Sequence, residues 1–256
     1  MDLRLEGQRV LVAGASRGIG RATALLLAEE GAHLRLLARD SEALARVATE
    51  VAARGAEVQW AAADLTQPEQ AGSVLRHLCE GGLDAVVHVA GGGVRSRFAE
   101  ATDEVWLRAL ELNLLAAVRV VRTVLPFVRD GGRLVLVGAA SGKRPQPGQA
   151  PSNAAKAALA NLTASLAEEL APRLVVNCVA PGRILTERRL RRLEEEASWR
   201  GLPLEEVVRE DAAEIPLGRH GRPEEVAAVV VFFASPRAGY LTGQTIIVDG
   251  GWVRSV

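Results

Sequence analysis

The sequence predicts an α/β protein with a doubly wound, mostly parallel sheet and helices on both of its faces. Short apolar runs alternate with helical patterns along the chain, and this alternation is typical of right-handed crossovers between parallel strands. Hydrophobic residues make up 48% of the 256 residues, which suits a sheet that is covered on both faces. No repeat, low-complexity linker or change in composition divides the chain, so we predict a single domain over residues 1–256.

The order of the elements follows from hydrophobic periodicity. The predicted strands, about seven in number, occupy residues 9–13, 33–38, 57–62, 84–89, 133–138, 174–179 and 245–248. The predicted helices occupy residues 18–30, 41–54, 68–80, 103–128, 152–170, 187–211 with a break near 201–203, and 223–234. Pro223 stands in a first turn, and Gly31, Gly55 and Gly131 are interpreted as helix ends. Because ligands bind at the carboxyl ends of the strands in such sheets, we expect the site in the loops that follow the strands.

Composition narrows the classes of function. Lys+Arg and Asp+Glu number 31 each, so charge gives no support for binding to nucleic acid or to a membrane surface. Cys79 and Cys178 fit no metal or redox spacing, and we predict no metal site. A charged N-terminus and the lack of a long apolar run lead us to expect a cytoplasmic protein. Only Lys143 and Lys156 are lysines. Since the chain otherwise uses arginine for positive charge, these two positions are candidates for a role that needs the compact ammonium of lysine and its adjustable pKa.

A glycine-rich loop joins the first strand to the first helix. Glycines allow a tight turn and let a phosphate approach the backbone N–H groups, and the positive end of the helix dipole favours an anion there. The alternative is an ordinary turn whose glycines only permit close packing. After a strand and before a helix, the loop predicts a dinucleotide site. The candidate residues in this loop are Gly14, Ser16, Arg17, Gly18, Ile19 and Gly20.

Residues after the second strand bear on the choice of cofactor. An acidic residue there usually binds the ribose 2′-hydroxyl of NAD, whereas an arginine accommodates the 2′-phosphate of NADP. Arg39 is therefore a candidate phosphate ligand with Arg17 as a second cation, and we predict NADP(H) over NAD(H). Asp40, one position later, is the best support for NAD(H).

Two further strand ends carry candidate cofactor contacts. Asp64 ends the third strand, where its carboxylate would accept a hydrogen bond from the adenine amino group, although an ordinary turn residue would look the same. Ala90 and Gly91 follow the fourth strand, where missing side chains would let the backbone pass close to a ribose. A flexible loop with no ligand is the alternative there.

Motifs along nearly the whole chain together resemble the short-chain dehydrogenase/reductase family. They are the glycine loop, Asp64-Leu65, Ala90-Gly91, Asn113, Lys156 in Ala155-Lys156-Ala157, and Val179-Ala180-Pro181-Gly182 ending in Thr186. The segment from Pro216 to Gly251 is most similar to the β-ketoacyl-carrier-protein reductase branch. The resemblance implies a Rossmann-type sheet, a nicotinamide cofactor, a small-molecule carbonyl or alcohol substrate and a homotetramer. It also implies cofactor contacts from Leu65, Lys156, Pro181, Gly182 and Thr186.

The chain departs from the resemblance at the two positions that carry the family's proton chemistry. The resemblance implies a tyrosine four residues before Lys156 and a serine thirteen residues before that tyrosine, but these positions hold Ser152 and Ala139. The only tyrosine is Tyr240, close to the C-terminus. The lysine would lower the phenol pKa and bind the nicotinamide ribose, and Asn113 would support a water that relays protons. Since general acid catalysis typically contributes about 10²–10⁴-fold, we expect weak or altered catalysis.

Other side chains are candidates to replace the missing phenol. Ser141 is a candidate hydroxyl donor, and Lys156 is a candidate proton donor, directly or through a water. His88 titrates in a suitable range, although a satisfied packing histidine is the alternative at the end of an apolar strand. The predicted catalytic set is Lys156, Asn113, Ser152 and Ser141.

A charged segment at residues 183–211 matches the position of the family's substrate lid. Its charges are typical of a solvated helix face. The residues that would cover the cleft are Leu190, Leu193, Ala197 and Trp199. A basic group at the predicted rim either attracts an acidic substrate or carrier or is only an exposed, solubilising cluster. Its members are Arg95, Arg97, Lys143 and Arg144.

Two functions remain open from the sequence. The first is an NADP(H)-dependent oxidoreductase that transfers hydride to a ketone or from a secondary alcohol, with weak or altered catalysis. The second is a non-catalytic NADP(H)-binding protein that serves as a sensor or a structural subunit.

Overall fold

All seven strands run parallel in one sheet. In this computed structural model, which describes residues 1–254, they are β1 (Arg9–Ala13), β2 (His33–Ala38), β3 (Val58–Ala62), β4 (Leu83–His88), β5 (Val128–Val137), β6 (Leu174–Pro181) and β7 (Thr245–Val248). Their order is β3-β2-β1-β4-β5-β6-β7. The direction of winding therefore reverses between β1 and β4, the switch point beside which such sheets bind ligands. The predicted doubly wound sheet is confirmed.

Helices cover both faces of this sheet. They are α1 (Gly18–Glu29), α2 (Ser41–Ala52), α3 (Pro68–Leu78), α4 (Asp103–Leu110), α5 (Ala116–Val124), α6 (Ala150–Leu170), α7 (Glu187–Arg200), α8 (Leu204–Ala213) and α9 (Pro223–Ala234). No helix within residues 1–254 has both the length and the apolar character needed to cross a bilayer.

Alternate residues of each central strand enter two separate cores. In β1, Val10 and Val12 pack with α1, α2 and α9, whereas Leu11 and Ala13 pack with α3, α5 and α6. All four side chains are fully buried, and burial of a valine or leucine side chain is worth about 1.5–3 kcal/mol. The two cores thus fix the strand ends from which the site loops emerge.

The predicted helix over residues 103–128 is helical without interruption from Asp103 to Val124, but it is not a regular α-helix throughout and ends earlier than predicted. A π-turn at Glu111–Leu115 separates α4 from α5, and a 3-10 turn that contains Pro126 precedes β5. The proline lacks the N–H that an α-helix would need there. β5 begins at Val128, so Gly131 lies inside a strand and does not end a helix. Local periodicity cannot distinguish these alternatives, because the π-turn is stabilised by contacts with distant segments.

The predicted break in the lid segment is confirmed. Gly201 ends α7 in the left-handed conformation with φ 65°, which glycine adopts without strain. Leu193 and Ala197 pack against Val207 of α8 in a small core of their own, and the Trp199 side chain is exposed. The expectation from the sequence that Leu193, Ala197 and Trp199 cover the cleft is therefore wrong.

Candidate functional site

A groove with a volume of about 890 Å³ lies at the carboxyl ends of β1, β2 and β4. Its size falls in the range of small-molecule and cofactor sites. The structure brings twelve of the predicted cofactor residues to this groove. They are Gly14, Ser16, Arg17, Gly18, Ile19, Gly20, Arg39, Asp64, Leu65, Ala90, Gly91 and Thr186.

Close packing of the backbone explains two of the loop glycines. A Cβ atom on Gly14 would lie 2.6 Å from the Ala90 nitrogen, and one on Gly20 would lie 1.9 Å from the Gly14 oxygen. Both distances are far below van der Waals contact, so no other residue fits without a backbone shift. These glycines let the β1 and β4 loops approach each other, and they do not by themselves indicate a ligand.

The start of α1 indicates an anion more directly. Its N-cap residue, Arg17, makes no side-chain hydrogen bond to the first-turn amides, and no acidic residue stands in that turn. The first N–H groups of a helix have no partner within the helix, and the helix dipole adds partial positive charge. The groove therefore presents uncapped donors that fit the diphosphate of a dinucleotide.

Each candidate phosphate ligand at the outer end of the groove lies beside a carboxylate. Arg17 pairs with Asp40 at 2.5 Å, and the exposed Arg39 lies 3.7 Å from Asp64. Asp40 also caps α2 by accepting a hydrogen bond from the Ala43 amide at 3.0 Å, which is the main cause of its lowered pKa. Asp40 is thus engaged as a helix cap and an ion-pair partner, while Arg39 remains accessible to solvent.

Asp64 is held by its own turn. Its carboxylate accepts hydrogen bonds from the backbone amide and the hydroxyl of Thr66, at 2.9 and 2.8 Å. The amide bond is the first cause of the lowered pKa of Asp64. The carboxylate is therefore ionised at neutral pH and faces the groove as an acceptor.

An inner cavity of about 140 Å³ lies next to the groove, and Gly92 and Arg188 line both spaces. Candidate residues from three segments meet at this cavity: the loop after β5, α6 and the end of β6. They are Ala139, Ser141, Ser152, Lys156, Pro181 and Gly182. The cavity thus collects the residues at which the sequence predicted proton chemistry.

Lys156 presents its ammonium to this cavity from α6. A Cβ atom on Gly91 would lie 3.0 Å from its Nζ atom, so glycine at that position leaves room for the amine. No hydrogen bond or ion pair joins Lys156 to another of the described residues. Burial, followed by the charge of Arg188, lowers the pKa of Lys156 to about 8. This amine therefore titrates close to neutral pH.

Asn113 connects the π-turn to the loop after β4. Its Oδ1 atom accepts a hydrogen bond from the Gly92 amide at 3.0 Å, and its Nδ2 atom donates to the Ala109 carbonyl at 3.0 Å. The side chain is buried, with 1% exposed. π-turns are frequent at functional sites, and this one positions a wall of the inner cavity.

The two candidate serines differ in their bonding. Ser152 Oγ accepts a hydrogen bond from the Val94 amide at 2.7 Å and donates to the Val94 carbonyl at 3.1 Å. This pair fastens the loop after β4 to α6. Ser141 lines the same cavity, and its hydroxyl has no protein hydrogen-bond partner within residues 1–254. Of the two serines, Ser141 therefore has the hydroxyl that is available to a ligand. Tyr240, the only tyrosine of the sequence, is fully exposed beyond α9 and does not line the cavity.

His88 is buried beneath the site at the end of β4. Neither ring nitrogen has a hydrogen-bond partner in the described part of the chain. The histidine is therefore buried as expected, but its ring nitrogens are not hydrogen-bonded as the packing alternative implied. Burial, with the charge of Lys156 as a second cause, lowers the pKa of His88 to about 3. The imidazole is neutral at physiological pH and is a poor proton donor.

Sequence reasoning missed Arg188. Its Nη1 atom donates to the Gly91 carbonyl at 3.1 Å at the entrance of the inner cavity, where the residue is exposed to solvent. Partial desolvation of the guanidinium lowers its pKa. The available signal was its place two residues after Thr186, at the start of α7. In a chain so rich in arginine, that position alone did not distinguish it.

Asp211 of α8 joins α7 and α8 in a network of ion pairs. Its carboxylate lies 2.6 Å from Nε2 of His220, forms an ion pair with Arg189 and lies 3.2 Å from Arg183. Burial opposes ionisation of Asp211, but these partners together hold its pKa well below the usual range. The network ties α7 and α8 to the turn before α9.

The predicted basic rim does not act as one exposed group. The Arg144 guanidinium lies 4.4 Å above the Trp252 ring and 3.6 Å from Glu214. The exposed Arg97 lies 3.9 Å from Glu100. Lys143 is exposed and lines neither the groove nor the inner cavity.

Comparisons with known proteins agree with this geometry. The family model described as enoyl-(acyl carrier protein) reductase matches residues 14–253. The chain is 37% identical to the 3-oxoacyl-[acyl-carrier-protein] reductase FabG of Vibrio cholerae over 254 residues, which cover 97% of this chain and 98% of that protein.

Two solved structures are similar over almost their whole length. The L-sorbose reductase of Gluconobacter frateurii, complexed with NADPH and L-sorbose, is 33% identical with a TM-score of 0.96 and covers 100% of both chains. An NADPH-bound short chain oxidoreductase of Pseudomonas aeruginosa PAO1, which contains an atypical catalytic center, is 34% identical with a TM-score of 0.89. That match covers 97% of this chain and 98% of the other. With a parallel seven-stranded sheet and a groove at its switch point, the chain belongs to the short-chain dehydrogenase/reductase family of oxidoreductases.

Proposed function

We propose that the protein is an NADP(H)-dependent oxidoreductase that reduces a ketone or oxidises a secondary alcohol with an altered proton donor. The observation that carries this proposal is the position of Lys156, whose unpaired amine lies where the cofactor groove meets the inner cavity. When bound, the dinucleotide supplies or accepts the hydride. NADPH in the L-sorbose reductase and in the Pseudomonas oxidoreductase supports the choice of cofactor.

The residues of the groove fit that cofactor. The uncapped amides at the start of α1 would hold the diphosphate. Arg39, with Arg17 beside it, would meet a 2′-phosphate, and the Asp64 carboxylate would accept a hydrogen bond from the adenine amino group. Lys156 would bind the nicotinamide ribose, next to the backbone of Gly91.

Proton transfer is assigned to the amine because no tyrosine among the described residues lines the inner cavity. In reduction, the Lys156 ammonium donates a proton to the oxygen that develops negative charge, and the Ser141 hydroxyl orients that oxygen. A donor whose pKa lies near the working pH is efficient in such a role. Ser152 and Asn113 then act as positioning residues, since both bond to the loop that walls the cavity.

The Pseudomonas relative is relevant to this departure. It is NADPH-bound and contains an atypical catalytic center, which supports cofactor binding in a family member with altered catalytic residues. The occupied hydroxyl of Ser152 favours the second candidate, a non-catalytic NADP(H)-binding protein that serves as a sensor or structural subunit.

A titration followed by turnover assays separates the two functions. We expect fluorescence titrations to give a lower Kd for NADPH than for NADH. Arg39→Gln should reduce the ratio of these two Kd values, because it removes a cation that would meet the 2′-phosphate. We expect Lys156→Ala to lower kcat for carbonyl reduction by about 10²-fold, while Lys143→Ala stays within about twofold. Binding of NADPH without turnover of a broad carbonyl panel would favour the binding protein. Failure to bind either dinucleotide would overturn both candidates.

A further inference from the structure

Two cations face the inner cavity without a carboxylate partner. Lys156 and Arg188 both line it, and no acidic side chain within residues 1–254 lies within 4 Å of either charge. The cavity lining contains no aspartate or glutamate. Elsewhere on α7, Arg189 pairs with Asp211 and Arg200 lies 2.7 Å from Glu210, whereas the exposed Arg191 has no carboxylate within 4 Å among the described residues.

Neighbouring unpaired cations are unfavourable, and an anion between them would relieve the repulsion. Both side chains line the same cavity, and the charge of Arg188 is one cause of the depressed pKa of Lys156. A guanidinium has five N–H donors in a planar fork that matches a carboxylate. Arg188 uses one donor on the Gly91 carbonyl, so the remaining donors are free of protein partners among the described residues.

Arg188 is also the cation that the proposed reaction leaves unused. Lys156 is assigned to the ribose and to the transferred proton. Arg188 lies between the groove and the cavity, within reach of a substrate whose carbonyl lies at Lys156. A volume of about 140 Å³ is small compared with usual ligand pockets of roughly 300–1,000 Å³, which favours a compact substrate.

We infer that the substrate is a compact oxo acid, or the hydroxy acid formed from it, whose carboxylate is bound by Arg188. This inference rests on the proposed function. In the reduction, hydride adds to the ketone carbon, the π electron pair of the C=O bond moves to oxygen, and that oxygen takes a proton from the Lys156 ammonium. The carboxylate is unchanged. A carrier-bound thioester, as in the name of the Vibrio relative, would bring no negative charge to this position.

Matched acids and esters test the charge requirement. Pyruvate and acetoacetate are compared with methyl pyruvate and methyl acetoacetate, which keep the ketone and remove the charge. We expect the wild type to favour the better acid over its ester by at least about tenfold in kcat/KM. Arg188→Gln should lower that value for the acid by about 10–100-fold and for the ester by less than about threefold. Arg188→Lys should retain part of the preference.

Arg191→Gln is the matched control, because Arg191 is an exposed arginine on the same helix and lines neither space. It should leave every ratio unchanged. Equal kcat/KM for acid and ester in the wild type would overturn the inference.

A binding measurement tests the same residue without turnover. Oxamate, which keeps a carboxylate beside a carbonyl, is titrated calorimetrically into the NADPH-saturated protein, with methyl oxamate as its neutral counterpart. We expect oxamate to bind to the wild type and to Arg191→Gln, and its Kd to rise by about 10–100-fold in Arg188→Gln.

Three results would overturn the inference and leave the proposed cofactor site intact. The first is NADPH binding with no response to oxamate. The second is equal binding of oxamate and its ester. The third is an equal loss of NADPH and oxamate affinity in Arg188→Gln, which would assign the arginine to a cofactor phosphate. A protein that binds no NADPH would instead contradict the proposed function itself.

Discussion

The proton transfer that we propose for Lys156 predicts a specific dependence of the rate on pH. The Lys156 pKa of about 8 lies below the ordinary lysine value because the amine is buried and Arg188 lies nearby. The ammonium is therefore the major form below pH 8, and the neutral amine is the major form above it. A reduction that takes a proton from this group requires the ammonium.

The pH profile of ketone reduction provides the first residue-scale prediction. We expect kcat/KM to fall as the pH rises through about 8, and the reverse oxidation to rise through the same pH, because it requires the neutral amine. Arg188→Gln should move this inflection to higher pH, since it removes a charge that disfavours the ammonium. The profile is measured under cofactor saturation from pH 6 to 10.

Lys156→Arg is the control for that profile. An arginine keeps the positive charge but does not titrate below pH 12, so any residual activity should lose the inflection. An unchanged inflection in Lys156→Arg would assign the titration to another group.

Sequence alone identified the side chains of the cavity better than their bonding. Lys156, Asn113 and Ser141 were recognised because a motif or a spacing marks each of them. The engagement of Ser152 by Val94, 58 residues away, depends on how the loop after β4 folds onto α6. Arg188 likewise differs from most other arginines of α7 only in that no carboxylate lies beside it, and this is known only from the folded structure. Such features depend on tertiary packing, which no local pattern encodes.

At the scale of elements, the strands and most helices were predictable because periodicity and helix-end signals agree there. The region between α4 and β5 was not, because its helical periodicity continues through the π-turn. The Asn113 side chain donates to a backbone carbonyl of α4, that of Ala109, and accepts a hydrogen bond from the loop after β4. The break between α7 and α8 was predictable because glycine and proline mark it locally.

Asp211 provides the element-scale prediction. Its carboxylate forms ion pairs with Arg183 and Arg189 and contacts Nε2 of His220. The side chain is only 14% exposed. Asp211→Asn leaves Arg189 without its anion, while Arg183 keeps Glu214 at 2.7 Å. Because the Arg189 pair is largely buried, we expect a loss of about 3–5 kcal/mol in the free energy of unfolding of α7 and α8. Urea denaturation and amide hydrogen exchange in α7 and α8 measure it.

The control for this substitution is Glu205→Gln, an exposed acid on α8 that should change stability by less than about 0.5 kcal/mol. The sign of the pH dependence is also fixed. Since the folded pKa of Asp211 is depressed, its stabilising contribution is present above the ordinary aspartate pKa of about 3.9 and is lost only as the pH falls through the lower folded value. Equal stability of Asp211→Asn and the wild type at pH 7 would contradict the anchoring role.

At the scale of the whole molecule, two apolar surfaces remain without a partner within the described chain. β7 is an edge strand at one end of the sheet, with Ile246 42% exposed and the neighbouring Leu241 40% exposed. The other surface lies along α4 and the π-turn, where Leu107 is 64% and Leu115 is 40% exposed. Exposed strand edges and apolar patches are typical of surfaces that associate.

We propose that a second copy of the chain covers each of these surfaces, which yields the homotetramer implied by the family resemblance. Two different isologous interfaces are what a tetramer of D2 symmetry requires. Light scattering after size-exclusion chromatography should therefore give four times the chain mass of 27.1 kDa. Leu241→Glu with Ile246→Glu should give a dimer, as should Leu107→Glu with Leu115→Glu, because each pair buries charge in only one interface. All four substitutions together should give a monomer.

Trp199→Glu is the matched control for these variants. Trp199 is a large apolar side chain that is 86% exposed, but it lies on the lid helix α7 and on neither proposed interface. If apolar exposure alone drove association, this substitution would also reduce the mass. We expect the tetramer to persist, because an isolated exposed side chain provides too little area for a stable interface. A wild type that is monomeric at micromolar concentration would contradict both interfaces, while leaving the assignments of Lys156 and Arg188 within one chain unaffected.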